Sequence, residues 1–294
     1  PTADASTTTF DNNTNDRILD VVNLTIDADG ILQASNSASF TVGGAWLNSS
    51  GVFTHNNGTV TLDAASGTNN ITSGGDAFYN LIFNDGGGTA TFELQDALVV
   101  DSDLTMTAGT LSGTPNVTVN GGDVTGDGTI NLTGGTFLLD GTGNFGGATA
   151  WTFNSLTFGD GTGTTTSTAT GTGGITVSDE LTIDANQTLA AGSKTWTLSG
   201  AGGGDSVAFN TTGTFTPNTS SVAYTSTSST IITAENYYNL YFYPPSGTQT
   251  YTLASGTFDI DHWLFVGSTD GGTLTASTTN NPTINVGKSD GSLA

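Results

Sequence analysis

The segment Leu24-Thr-Ile-Asp-Ala-Asp-Gly-Ile-Leu returns at Leu181-Thr-Ile-Asp-Ala-Asn-Gln-Thr-Leu, with looser copies starting at Leu104 and Leu264. The four leading leucines, Leu24, Leu104, Leu181 and Leu264, keep a nearly even spacing. A second marker recurs on the same beat: Phe78-Tyr-Asn-Leu-Ile-Phe83, Phe153-Asn-Ser-Leu-Thr-Phe158 and Tyr237-Tyr-Asn-Leu-Tyr-Phe242. Two markers on one beat define an internal repeat. In such arrays a single unit cannot bury its apolar face alone, so neighbours must stack to close a core. The spacing predicts an arm over residues 1–16 and a partial first repeat over 17–77. Full repeats follow over 78–150 and 151–236, then a partial fourth over 237–294, all in one continuous elongated domain.

A finer beat lies inside each repeat. Gly-Thr precedes an apolar residue at Val60, Leu111, Ile130, Phe137, Phe215, Phe258 and Leu274. Glycine suits a corner; threonine and the apolar residue start a strand. Apolar bursts such as Leu24/Ile26, Phe40/Val42 and Val60/Leu62 are short and are closed by Asp, Gly or Asn. Period-two bursts with turn residues between them predict strands, and no 3.6-residue stripe predicts a helix. The fold class expected is all-β: a β-solenoid resembling a parallel β-helix, with coils of roughly 20–25 residues stacked at ~4.8 Å. The alternative is a row of immunoglobulin-like β-sandwiches, for which ~80 residues is close to one domain. The segment 161–174, rich in Gly and Thr, reads as a long loop or as weak strands.

Composition agrees with strands and turns. Hydrophobic residues make up 34% of the chain, Lys and Arg number three, and the net charge is −23. Of 26 acids only Glu93, Glu180 and Glu235 are glutamates; aspartate favours turns because its short side chain reaches its own backbone. So acidic a chain is a poor partner for nucleic-acid phosphates or an anionic bilayer. It contains no apolar run long enough for membrane insertion by a helix. The absence of cysteine excludes disulfides and thiolate metal sites. A start at Pro1 rather than Met reads as a processed N-terminus.

Several residues invite chemistry. The pairs Asp27/Asp29, Asp101/Asp103, Asp123/Asp127 and Asp259/Asp261 place carboxylates two to four positions apart at turns. Oxygen clusters in that pattern can hold Ca²⁺. The plainer reading of each pair is a turn cap or a solvated edge charge. His55 and His262 are the only histidines, and both lack the neighbouring ligands that zinc requires. Arg17, Lys194 and Lys288 stand apart, which disfavours a polysaccharide lyase needing a cation at its enolate-like intermediate. The expectation is therefore no enzymatic activity and no cofactor, with Ca²⁺ at the aspartate pairs as the one candidate. Trp46, Trp151, Trp196 and Trp263 fit core packing, with sugar stacking as the alternative. The run Tyr237, Tyr238, Tyr241 and Tyr243 is denser than packing requires, and alternate members of a strand face outward. With Phe10 as an anchor in the arm, these residues form the candidate assembly or ligand patch.

The units run as an aromatic-Tyr-Asn-Leu-x-Phe strand, a Leu-Thr-Ile strand and a Gly-Thr-Leu corner, best seen in residues 78–111 and 235–276. This style resembles prokaryotic secreted β-solenoid repeat proteins of the adhesin and surface-fibre type. The resemblance implies an extracellular or cell-surface location and a structural role; it carries no catalytic residues. Both ends of the sequence cut the repeat short, which suggests either head-to-tail stacking of subunits or a piece of a longer protein. The expected function is a subunit of a self-assembling filament, stalk or surface layer, whose partners are copies of itself. The alternative is an adhesin that binds surface glycans through exposed Tyr and Trp.

Overall fold

The computed structural model describes residues 7–245, 249–267, 273–275 and 280–287. The first six residues of the expected arm, and Lys288, lie outside the described residues. Among those described there is no helix, and the strands are short, most of them three to five residues. The pairings are parallel, and each strand pairs with one about a coil further along the chain. Leu19, Phe40, Val60, Leu81, Leu104 and Val124 are register partners in turn, one coil apart each time. Parallel strands returning on one beat make a β-solenoid. A tandem β-sandwich is excluded, since its sheets would be antiparallel. The chain packs as two compact units, residues 1–135 with 139–143 and residues 136–138 with 144–294.

In the first unit one sheet takes Leu19–Val21, Phe40–Val42, Thr59–Leu62, Asn80–Phe83, Leu104–Met106 and Val124–Thr125 in order. A second takes Leu24–Ile26, Trp46–Asn48, Gly67–Thr72, Ala90–Leu94, Thr110–Gly113 and Thr129–Leu132. Shorter ladders join Thr8–Asp11, Gly30–Gln33 and Val52–Thr54, and Leu98–Val100 with Val117–Val119. Unshifted register sets like over like. Phe40 lies over Val60 and Val42 over Leu62, all four buried, while Thr41 and Thr61 pair on the outer face. Phe40, Trp46, Phe53 and Phe78 fill the interior of the early coils, with ring centroids 4.8 to 6.5 Å apart. Each such side chain contributes about 1.5–3 kcal/mol on burial. Ordering one residue's backbone costs about 1–2 kcal/mol. A core this thin therefore holds only when coils stack.

The Gly-Thr beat has two physical causes. At Gly109 the backbone adopts φ = 84°, which a side chain would strain. At Gly58 the requirement is space: a Cβ there would collide with the Ser35 carbonyl oxygen of the coil beneath. Asparagine serves the other corners. Asn56, Asn57, Asn186 and Asn218 all take left-handed φ values between 49° and 65°, a region that asparagine enters more readily than most residues.

In the second unit the longest sheet takes Trp151–Phe153, Ile175–Val177, Thr195–Leu198, Ser221–Tyr224, Asn236–Phe242, Thr257–Val266 and Thr283–Val286. Others take Ser155–Phe158, Leu181–Ile183 and Phe209–Thr211; Thr165–Ala169, Gln187–Ala190 and Thr214–Thr216; and Thr230–Ile232, Thr250–Leu253 and Thr273–Thr275. The Gly/Thr-rich segment 161–174 thus contains a strand. The interior packs Phe145 against Trp151, Phe158 and Trp196. Coil length is less regular here. Ile175, Trp196, Val222, Leu240 and Leu264 are successive partners, and the step from Val222 to Leu240 is shorter than those on either side.

Candidate functional site

The described residues hold no cleft lined by converging acids, bases and nucleophiles. Their candidate features are the first coil of the first unit, the last described coil of the second, and the outer face beside the latter.

At the start of the first unit, Thr8–Asp11 pairs in parallel with Gly30–Gln33. Thr8 N–H donates to the Asp29 carbonyl, and Asn12 N–H donates to that of Gln33. Asn12 is buried, and its amide bonds both backbone groups of Arg17. Thr8–Asp11 of the expected arm is here a strand of its own unit's first coil. Phe10 points along the column of Leu32 and Phe53, yet 53% of its surface is exposed. Beside it opens a cavity of about 660 Å³ lined chiefly by Phe10, Leu19, Val21, Leu24, Ile26 and Leu32. These are inward positions of the first coil, and the coils above cover only one side of them.

The last described coil of the second unit is open in the same manner. Ile284 and Val286 continue the buried column of Phe258 and Ile260, but each is 42% exposed. Val266 continues the column of buried Phe242 and is 57% exposed. Sequence reasoning passed over these residues, although the alternating Ile284-Asn-Val286 pattern marked them as inward.

The tyrosine run divides between the two faces. Tyr237 is fully buried, and its hydroxyl donates to the Thr233 carbonyl at 2.8 Å and meets the Tyr224 hydroxyl at 3.4 Å. It is a core residue and not part of an exposed patch. Burial raises its phenol well above the usual range and pushes Tyr224 to about 12. Tyr238, Tyr241 and Tyr243 lie outward. The parity is set by an irregular register in which Tyr237 opposes Ile260 but Asn239 opposes Trp263, so Thr257–Val266 carries one extra residue. Such a bulge re-aims side chains, and here both His262 and Trp263 are exposed. Tyr238, His262 and Trp263 then pile with ring centroids 5.0 Å apart. Tyr243 sits 5.9 Å from Tyr241 and 4.9 Å from Phe265. Trp46, Trp151 and Trp196 are fully buried, whereas Trp263 is 58% exposed.

The acidic pairs are spread out, and several carboxylates already have protein partners. Asp27 and Asp29 lie on an exposed turn closed by Gly30 N–H donating to the Asp27 carbonyl. Asp101 faces His55 Nε2 at 3.2 Å and accepts from the Asn120 amide at 2.8 Å. Asp103 accepts the Asp123 N–H at 2.9 Å, joining one coil to the next. Asp127 is exposed. Asp259 accepts from the Asn285 amide at 2.6 Å, and Asp261 is half-buried beside the bulge. No three His, Asp or Glu residues among those described converge as a metal-binding group. His55 also stacks on Tyr79, and His262 Nδ1 lies 2.9 Å from Asn239 Oδ1.

Two charged groups secure loops. Burial opposes the charge on Asp85, but N–H groups of Ala90, Gly87, Gly88 and Thr89 outweigh it and hold the carboxyl below its ordinary value. Lys194 is buried with its ammonium donating to the carbonyls of Gly173 at 2.7 Å and Gly147 at 3.3 Å. Desolvation lowers its pKa. Lys194 thus clamps neighbouring coils. The isolation of a lysine in a chain almost without cations was its only signal in the sequence. No family model, curated protein or solved structure matches the chain.

Proposed function

We propose that the protein is a non-catalytic extracellular structural subunit that joins copies of itself end to end. One observation carries this reading: inward apolar columns run out uncovered at the first coil of one unit and at the last described coil of the other. Leu24–Ile26 and Thr283–Val286 are the first and last strands of the order in which they stand. Each therefore has one edge without a strand among the described residues, and such edges pair readily with another chain. Their patterns also match. Docked in parallel, Ile284 would stack on Leu24 and Val286 on Ile26, with Asn285 over Thr25 on the outer face. That register repeats the like-over-like stacking inside each unit. Filling the cavity beside Phe10 would remove further apolar surface from water. The extracellular setting rests on the repeat style alone.

The test is a mixing experiment read by sedimentation velocity and electron microscopy. Wild-type protein should form concentration-dependent chains. Leu24→Asp should block one end, and Ile284→Asp with Val286→Asp the other. Each variant alone should stay monomeric with an unchanged melting temperature if only the ends are affected. Mixed together, the two variants should stop at heterodimers formed through their intact ends. Wild-type protein that remains monomeric at every concentration overturns the proposal, as do chains that persist in either variant.

A further inference from the structure

We infer that the outer face of the second unit's last coils is a binding strip for a neutral polysaccharide. In this sheet one outward position passes through Thr152, Thr176, Thr197, Ala223, Tyr241 and Phe265 in successive register partners. Small side chains give way to rings in the last two coils, and the change is confined to the outer face. The inward partners in the same strands remain ordinary core residues, such as Val222 and Leu240. Tyr243, Trp263 and Phe265 are 41%, 58% and 41% exposed, and they belong to two ring clusters, Tyr241 with Tyr243 and Phe265, and Tyr238 with His262 and Trp263, on the same two strands; exposed apolar surface of this kind marks binding sites.

The polar groups beside the rings indicate the occupant. Asn236, opposite Asp259, is exposed, and Asn239, opposite Trp263, bonds His262 and Ser221, so polar groups stand beside the aromatic faces on two adjacent strands. A pyranose presents C–H groups on its faces and hydroxyl donors around its edge. Aromatic rings suit the faces, and an exposed amide such as that of Asn236 can both accept from and donate to the hydroxyls. The strip runs along strands of seven and ten residues, at ~3.3 Å per residue long enough for several sugar units. Charge narrows the class. The chain carries −23 with only three Lys and Arg, and of the two that are described Lys194 is buried. A polyanion would be repelled. Self-association is not the natural occupant either, because the end-to-end contact uses the inward side chains of these coils and leaves the outward ones uncovered.

The chain's four tryptophans include one exposed at the surface, and it lies in the strip, so tryptophan emission reports on the site directly. The probes are cellohexaose, chitohexaose and maltohexaose, with polygalacturonate and hexalysine as charged controls, followed by fluorescence and calorimetry. At least one neutral hexasaccharide should bind saturably. Trp263→Ala and Tyr241→Ala should each weaken binding by about tenfold, the scale of one lost ring contact. Trp263→Phe should retain most of the affinity in the calorimeter, which separates a lost ring from a disturbed fold. The inference is overturned if no neutral hexasaccharide binds or if binding survives both alanine substitutions. It is also overturned if only hexalysine binds, which would make the strip a site for cationic peptides.

Discussion

Lys194 shows how a single residue can govern the joint between coils. Its ammonium satisfies the Gly147 and Gly173 carbonyls inside a crowded corner. Lys194→Met fills a similar volume but leaves both oxygens without that donor. An unsatisfied buried polar group costs about 1–3 kcal/mol, while removing a buried charge offsets part of this. We expect a net loss of about 1–3 kcal/mol in urea denaturation. The pH dependence separates this effect from simple repacking. The folded-state pKa lies below 10.5, so between the two values the unfolded chain holds more protons than the folded one. Stability from this group therefore rises with pH through that window. The wild type should show this rise and Lys194→Met should lack it; identical pH profiles would place the amine elsewhere.

At the scale of the strand and its corner, close stacking rather than propensity sets the limits. Gly58 is held against the Ser35 carbonyl of the preceding coil, and its own carbonyl accepts the Asn80 N–H of the following one at 3.2 Å. Gly58→Ala should force these coils apart and cost about 1–3 kcal/mol, the usual range for overpacking. A melting temperature equal to wild type would mean that the corner relaxes freely. Much of this architecture was legible in the sequence. The Gly-Thr-apolar beat located strand starts, and the alternation of Phe40 and Val42 about Thr41 located the inner face. What was hidden depended on single-residue shifts. The irregularity between Tyr237 and Asn239 breaks the alternation, so that Tyr237 and Leu240, three positions apart, are both core. A bulge has no composition of its own, only a change in parity that becomes visible once the opposing strand is known. Phe10 stands out in the sequence as an isolated aromatic, but its place over Leu32 follows from pairing with the next coil. The aspartate pairs were visible as spacings. Their partners, such as His55 and Asn120 around Asp101, come from other coils.

At the scale of the whole chain, net charge opposes the association proposed for the open coils. Copies carrying −23 repel one another. The Debye length falls from ~30 Å at 0.01 M salt to ~8 Å near 0.15 M. Apolar stacking and backbone pairing act at contact and are little affected by that change. Raising NaCl across this range should therefore lengthen the chains seen by sedimentation velocity. Chains that shorten instead would show that opposite charges, not apolar columns, hold the ends together.

The parallel register has a consequence for how such a molecule can change. Alternate residues of most strands answer to different neighbours: one set packs in the interior, the other lies on the outer face. In the passage from Thr197 through Ala223 to Tyr241 and Phe265, the outer set is rewritten while the inner set stays apolar, from Trp196 through Val222 to Leu240 and Leu264. The solenoid therefore behaves as a printed page, in which the spine holds whatever is set in type on the sheet. New surfaces can be composed on an old core by substitution at every second residue, without the fold having to be solved again.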